Sequence, residues 1–157
     1  MIKPYNRLDA VSYAQKWALS KNPQFYHFGG IGGDCTNFIS QCLLAGGGKM
    51  IYSVDGWFYS SKDSRSPSWT SVESLASFLM NDSQGLFATK REIEYLQEGD
   101  IIQLRQNIQR FNHSLIITKK TKDEIFVSAH SNDALDKNLK DYIFLERVGL
   151  HIEGVKD

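Results

Sequence analysis

Cys35 is the residue of this sequence that is best placed to act as a nucleophile. It follows Asp34 and the glycine-rich segment GGIGG, and it opens the run CTNFISQCLLAGGG, whose apolar residues recur at helical spacing. Unpaired N–H groups and the positive dipole end favour a thiolate in the first turn of a helix. The adjoining glycines would let an extended substrate backbone approach the sulfur. We therefore expect Cys35 to be a reactive thiolate.

A cysteine nucleophile also needs a base, and two of the four histidines are candidates. If Thr118 pairs with Ile125 across the turn KKTKDE, His113 faces His130 on the next strand, with Cβ atoms roughly 5 Å apart. Asn132 then lies diagonally on the same face. His113 is the predicted base, and the orienting third group is His130 or Asn132. Because a shift of one residue would separate these side chains, the prediction depends on this register.

The elements that must position these side chains are three helices followed by strands. The first helix is predicted from Leu8 to Ser20 with Asn6 as its cap, and the second begins at Cys35 with Asp34 as its cap. The second helix should end at the glycine triplet 46–48 in a left-handed cap. Thr70 and Glu73 form a capping box for the third helix, which runs through Leu79. Strands are predicted at 100–104, 113–118, 125–130 and 143–152, which makes the fold class α+β.

The segment between the second and third helices is aromatic and irregular. We expect Trp57 and Trp69 there to be partly buried, either as the wall of a substrate groove or as a satellite core. Cys42 reads as a core residue on the apolar face of its helix. It cannot form a disulfide with Cys35, because seven residues of helix separate the two Cα atoms by about 10 Å.

These residues together resemble a known family, the bacterial putative amidase domain, within the papain-like group that includes NlpC-type and CHAP hydrolases. The similarity covers nearly the whole chain. It rests on NPQFYHFGGIGGDCTNFISQCLLAGG, Ser68-Trp69-Thr70, Glu98-Gly99-Asp100-Ile101-Ile102, Asn112-His113-Ser114 and Ala129-His130-Ser131-Asn132-Asp133. Its most specific part is Tyr26, Gly29-Gly30 and Asp34-Cys35-Thr36 with Phe38.

The resemblance implies a papain-like fold, with N-terminal helices packed on an antiparallel sheet, and a cysteine amidase or peptidase. It implies Cys35 as nucleophile, His113 as base and His130 as third member, with Tyr26 framing the nucleophile. The implied substrate is a peptide or a fragment of cell-wall peptidoglycan. We expect the N–H of Cys35 to donate to the oxyanion and Tyr26 to add a donor, while Asp34 and Asn132 lie at the substrate site.

Composition and charge exclude several other classes of protein. The chain has 157 residues, is 41% hydrophobic and has 18 basic and 18 acidic residues, so a single domain over 1–157 without a nucleic-acid footprint is expected. No apolar run suits a signal peptide or a membrane span. We therefore expect a cytoplasmic protein as written, or a domain cut from a secreted or wall-associated protein. We expect a monomer.

The spacing of the ligand-type residues predicts neither a metal nor a cofactor. No pair of cysteines or histidines has the spacing of a zinc motif, and Asp34 stands where a phosphate-binding loop needs lysine. His27 and His151 are therefore expected to be structural. Two other functions remain open: acyl transfer or thioester cleavage on the same fold, and a binding module without turnover.

Overall fold

The structure is a computed structural model that describes residues 1–29, 33–81 and 84–157. Residues 30–32 of the predicted glycine loop, including Gly30 of the double glycine, lie outside the described residues. The described helices are α1 (Arg7–Trp17), α2 (Asp34–Ala45), the short α3 (Pro67–Thr70) and α4 (Val72–Met80). Single 3₁₀ turns lie at Ile93–Tyr95 and Leu139–Asp141.

The described strands are antiparallel and follow mostly after the helices. They are β1 (Ile2–Lys3), β2 (Tyr59–Ser61), β3 (Ser64–Arg65), β4 (Gly85–Arg91), β5 (Ile101–Arg105), β6 (His113–Lys120), β7 (Ile125–Ala129), β8 (Ala134–Asn138) and β9 (Glu146–Lys156). The main sheet has the order β1-β9-β5-β6-β7-β8, and β4 also pairs with β9. Strands β2 and β3 form a separate hairpin. The predicted α+β class is confirmed.

The ends of the helices follow local signals, with two corrections. Asn6 caps α1 by accepting the N–H of Asp9, as predicted. Helix α2 ends as predicted, because the N–H groups of Gly47 (φ +98°) and Gly48 return to carbonyls in its last turn. The predicted caps of α2 and α4 are wrong. Gly33 is the cap residue of α2, and Ser71 rather than Thr70 caps α4.

The register of the β6–β7 hairpin differs from the predicted one. Lys120 pairs with Ile125, so the turn is two residues shorter than predicted, and a bulge at Thr118 then shifts the register. Beyond the bulge, Ile116 pairs with Ser128. The predicted pairing of His113 with His130 is therefore wrong.

Helix α2 is the central helix of the structure, and its first ten residues are buried. Its apolar side packs in the larger core cluster with residues of α1, α4, β4 and β9, and Cys42 is a fully buried member, as predicted. Trp57 and Trp69 are fully buried in the same cluster. They are residues of the larger core cluster, so the expectation that they are only partly buried is wrong.

Candidate active site

The sulfur of Cys35 lies in a polar environment at the first turn of α2. The thiol donates to the carbonyl of Asn112, with 3.9 Å from sulfur to oxygen, and lies 3.8 Å from the hydroxyl of Thr36. The N–H of Ser114 also donates to the sulfur. Only 5% of Cys35 is exposed, but it belongs to neither of the two apolar clusters found among the described residues. Cys35 thus has polar neighbours, unlike Cys42.

The pKa of the Cys35 thiol is raised, which contradicts the thiolate expected from its helix position. Burial is the largest cause, and the hydrogen bonds from Ser114 and Thr36 oppose it only in part. The charge of the neighbouring Asp34 adds to the rise. The resting thiol is therefore neutral, and proton removal must accompany any attack by the sulfur.

His113 is the first residue of β6, and the residues before and after it in the chain both contact the sulfur of Cys35 through their main chain. Its ring, however, packs 6.1 Å from the ring of Tyr142, centroid to centroid. Among the described residues, no hydrogen bond joins this ring to the sulfur. Burial and the charge of Lys137 lower the pKa of His113 to about 4. The imidazole is thus neutral at pH 7, as a general base must be.

The ring of His113 lines a polar cleft of about 380 Å³, together with Asn112, Asn132 and Tyr142. Cys35 is not one of the described residues that line it. Asn132 is exposed, and it follows Ser131 in the turn after β7, where both residues have positive φ. Of the two candidates for the third member, Asn132 is therefore the one that shares a cleft with His113.

His130 is bound to a different partner from the one predicted. Its Nδ1 lies 2.8 Å from Oδ2 of Asp34, and its Nε2 lies 2.8 Å from the carbonyl oxygen of Trp17. Its ring stacks on Phe38 at 4.1 Å between centroids. Both ring nitrogens are thus occupied, so His130 does not orient His113 in this structure.

Asp34 and His130 form a buried ion pair. Burial alone would lower the pKa of His130, but the bonds to Asp34 and to the Trp17 carbonyl raise it overall. Burial would raise the pKa of Asp34, yet the hydrogen bonds from His130, from Asn37 and from the N–H of Phe28 lower it overall. Asp34 therefore joins α2 to the turn after β7 instead of capping the helix.

The remaining predicted residues lie around this ion pair. Tyr26 is 39% exposed, its ring packs edge-on against Phe28, and it lines a small cavity with Asp34 and His130. Among the described residues, no hydrogen bond joins its hydroxyl to Cys35. His27 places Nε2 3.2 Å from Oδ2 of Asp34, a partner that sequence reasoning missed.

Thr36 and Ser114 are the other residues of the site that sequence reasoning missed. Their hydroxyl oxygens lie 3.0 Å apart, and Gln103 donates to Ser114 from the next strand. This chain of hydrogen bonds holds the first turn of α2 against β6. Sequence position could have identified both residues, because each follows a candidate catalytic residue in the chain.

Comparison with known proteins gives a family match over most of the chain. The sequence model of the family described as “Putative amidase domain” matches residues 4–151. The chain is 38% identical over 136 residues to “Uncharacterized protein YhbB” of Bacillus subtilis (strain 168), covering 83% of this chain and 42% of that protein. It is 26% identical over 144 residues to “Uncharacterized protein YjcM” of the same strain, covering 86% and 33% respectively.

The chain thus spans less than half the length of either curated relative. No solved structure matches it significantly. None of the helices in the described ranges has both the length and the apolar character needed to cross a membrane.

Proposed function

Since the chain belongs to the family described as “Putative amidase domain”, we propose that it hydrolyses an amide bond, with Cys35 as nucleophile and His113 as general base. The observation that carries the proposal is the position of the sulfur, which touches the main chain on both sides of His113. The polar surroundings of Cys35 support it further, because a core cysteine would have apolar neighbours, as Cys42 has.

The proposed site is the gap beyond the end of β7. Strand β7 ends at Ala129, so among the described residues Ser114 has a strand partner on the β5 side only, and its N–H is bonded to the sulfur. The ring of His113 lies in the adjoining cleft. We propose that rotation about the side-chain torsions of His113 brings the ring to the sulfur when substrate binds, since catalytic hydrogen bonds often tighten only in the complex.

The mechanism begins from a neutral thiol and a neutral imidazole. As the sulfur attacks the carbonyl carbon of the amide, its proton passes to His113. The N–H of Cys35, in the first turn of α2, donates to the oxyanion that develops. The tetrahedral intermediate then breaks its C–N bond, and the amine leaves with the proton from His113. Water, deprotonated by the same ring, hydrolyses the thioester and frees the thiol.

Asn132 is the proposed orienting group for His113, in place of His130. Both side chains line one cleft, whereas His130 is bonded to Asp34 and to the carbonyl of Trp17. For the substrate we propose a peptide amide of bacterial cell-wall peptidoglycan, supported by the resemblance to NlpC-type and CHAP hydrolases. The same resemblance supports a papain-like arrangement of α2 against the sheet.

The test is mass spectrometry of purified peptidoglycan fragments and of a peptide library incubated with the protein. Wild-type protein and Cys42→Ala should release new amine and carboxylate ends, whereas Cys35→Ala should release none. Intact-protein mass spectrometry should detect an acyl adduct on Cys35 in the early turnovers. Equal cleavage by the wild type and by folded Cys35→Ala would refute the cysteine mechanism. An absence of cleavage by wild type across both substrate sets would refute the proposed activity.

A further inference from the structure

Three side chains of metal-ligating type converge at the start of α2 from separate parts of the chain. His27 precedes the helix, Asp34 opens it and His130 follows β7. One donor atom from each lies within 4.8 Å of the other two. Asp34 and His130 are buried, and the side chain of His27 is 34% exposed. We propose that these three residues bind a divalent transition metal, with Zn²⁺ as the expected ion.

The carboxylate of Asp34 is held in an orientation that suits a ligand. Its Oδ1 accepts from the N–H of Phe28 at 2.9 Å and from Nδ2 of Asn37 at 3.0 Å. Its Oδ2 lies 2.8 Å from Nδ1 of His130 and 3.2 Å from Nε2 of His27. One oxygen is thus fixed by neighbouring donors while the other faces both imidazoles, which is how outer hydrogen bonds orient a ligating carboxylate.

The carbonyl of Trp17 determines which nitrogen of His130 can bind an ion. A carbonyl only accepts hydrogen bonds, so Nε2, at 2.8 Å from it, must carry a proton. Nδ1 is then the nitrogen available to a metal, which would replace the proton shared with Asp34. A ligating histidine usually donates its other N–H to a carbonyl or a carboxylate, as this one does.

The size of the site and its set of donors favour zinc. Zn²⁺ binds imidazole nitrogen and carboxylate oxygen at about 2.0–2.2 Å, which separates neighbouring tetrahedral ligands by about 3.3 Å. The observed separations from Oδ2 of Asp34 are 2.8 and 3.2 Å, close to this value. All three donor atoms lie within 4.8 Å of one another, so the two imidazoles must move towards each other to surround the ion. The three residues also line a cavity of about 10 Å³, which is close to the size of one water molecule and so suits a single small ion. Two nitrogens and one oxygen suit zinc better than the oxygen-binding ions Ca²⁺ and Mg²⁺.

Residue spacing does not reveal this site, because its ligands do not have the short spacing of a zinc motif. Zinc motifs are recognised by pairs at short spacing, and here tertiary packing brings His130 to Asp34. The proposal does not depend on amide hydrolysis, because Cys35 and His113 are not part of the ligand set.

Isothermal titration calorimetry tests the proposal with chelator-treated protein and Zn²⁺ alone. One ion should bind per chain, and Co²⁺ in its place should give the visible absorption of a low-coordinate nitrogen and oxygen site. His27→Gln should weaken binding at least tenfold. This variant keeps the buried bond between Asp34 and His130, so its circular dichroism should match the wild type.

Two further variants separate the proposed site from other ligands. Lys21→Met removes a non-ligand side chain that lines the same cavity, and it should bind Zn²⁺ at least as tightly as the wild type. Cys35→Ala should bind with unchanged affinity. The assignment is wrong if wild type takes up no zinc, if His27→Gln binds as tightly as wild type, or if Lys21→Met or Cys35→Ala loses the ion.

Discussion

Protonation of His113 should destabilise the fold in a defined pH window. The group is 6% exposed, and its folded pKa of about 4 lies below the unfolded value of about 6.5. A histidine whose pKa is lowered by folding contributes its full stabilisation above the unfolded pKa. This contribution is lost as the pH falls towards the folded pKa. At pH 5 the unfolded chain has bound a proton at this histidine that the native chain has not. The free energy of unfolding is therefore about 2 kcal/mol lower at pH 5 than at pH 7.

The assay is urea unfolding of the wild type and of His113→Gln at pH 7 and pH 5. From pH 7 to pH 5 the free energy of unfolding should fall by about 2 kcal/mol more in the wild type than in the variant. The ion pair of Asp34 and His130 is present in both proteins, so its contribution cancels in the difference. Equal losses in the two proteins would refute the reasoning.

A direct titration of the imidazole by NMR gives a second measurement of the same quantity. The midpoint for His113 should lie near 4 in the wild type. Lys137→Met removes the second cause of the shift, so it should raise the midpoint while burial keeps it below about 6.5. A wild-type midpoint near 6.5 would mean that the ring is open to solvent.

Three substitutions test the packing that positions the site, each by urea unfolding. Gly47→Ala should cost about 1 kcal/mol, because φ is +98° and no neighbouring atom crowds an added Cβ. An unchanged stability would contradict the left-handed cap. Trp69→Phe should cost about 2–4 kcal/mol, because it leaves a cavity in the core and removes the indole N–H that donates to Asn37 at 2.9 Å. A cost below about 1 kcal/mol would contradict this reasoning. His130→Gln should cost about 3 kcal/mol, because it leaves the partly exposed His27 as the ionic partner of the buried Asp34 carboxylate. Adding Asp34→Asn should recover part of that loss, and no recovery would contradict this reasoning.

Local signals predicted the helices well because each signal acts within a few residues. Asn6 accepts the N–H of Asp9 three positions later, and Gly47 ends α2 through carbonyls of its last turn. Apolar spacing then identifies the buried side of each helix without any knowledge of its partner. The α+β class follows from the order of these elements.

The register of β6 and β7 could not be predicted from the turn sequence alone. The bulge lies at Thr118, whose hydroxyl bonds to Ser128 on the next strand and to Asp136 on the strand after it. These partners are set by tertiary packing. A one-residue change of register moves every side chain to the other face. The pairing of His113 with His130 failed for this reason, and β8 was missed because it has no apolar alternation of its own.

The neighbours of Cys35 in sequence determine how its sulfur meets β6. Asp34 on one side is bonded to His130, and Thr36 on the other is bonded to Ser114. The residue between them cannot move far along the strand without breaking one of these buried contacts, each of which costs more to break than a surface pair. The sulfur is therefore held against the main chain, so the proposed mechanism requires that the ring of His113 moves to the sulfur.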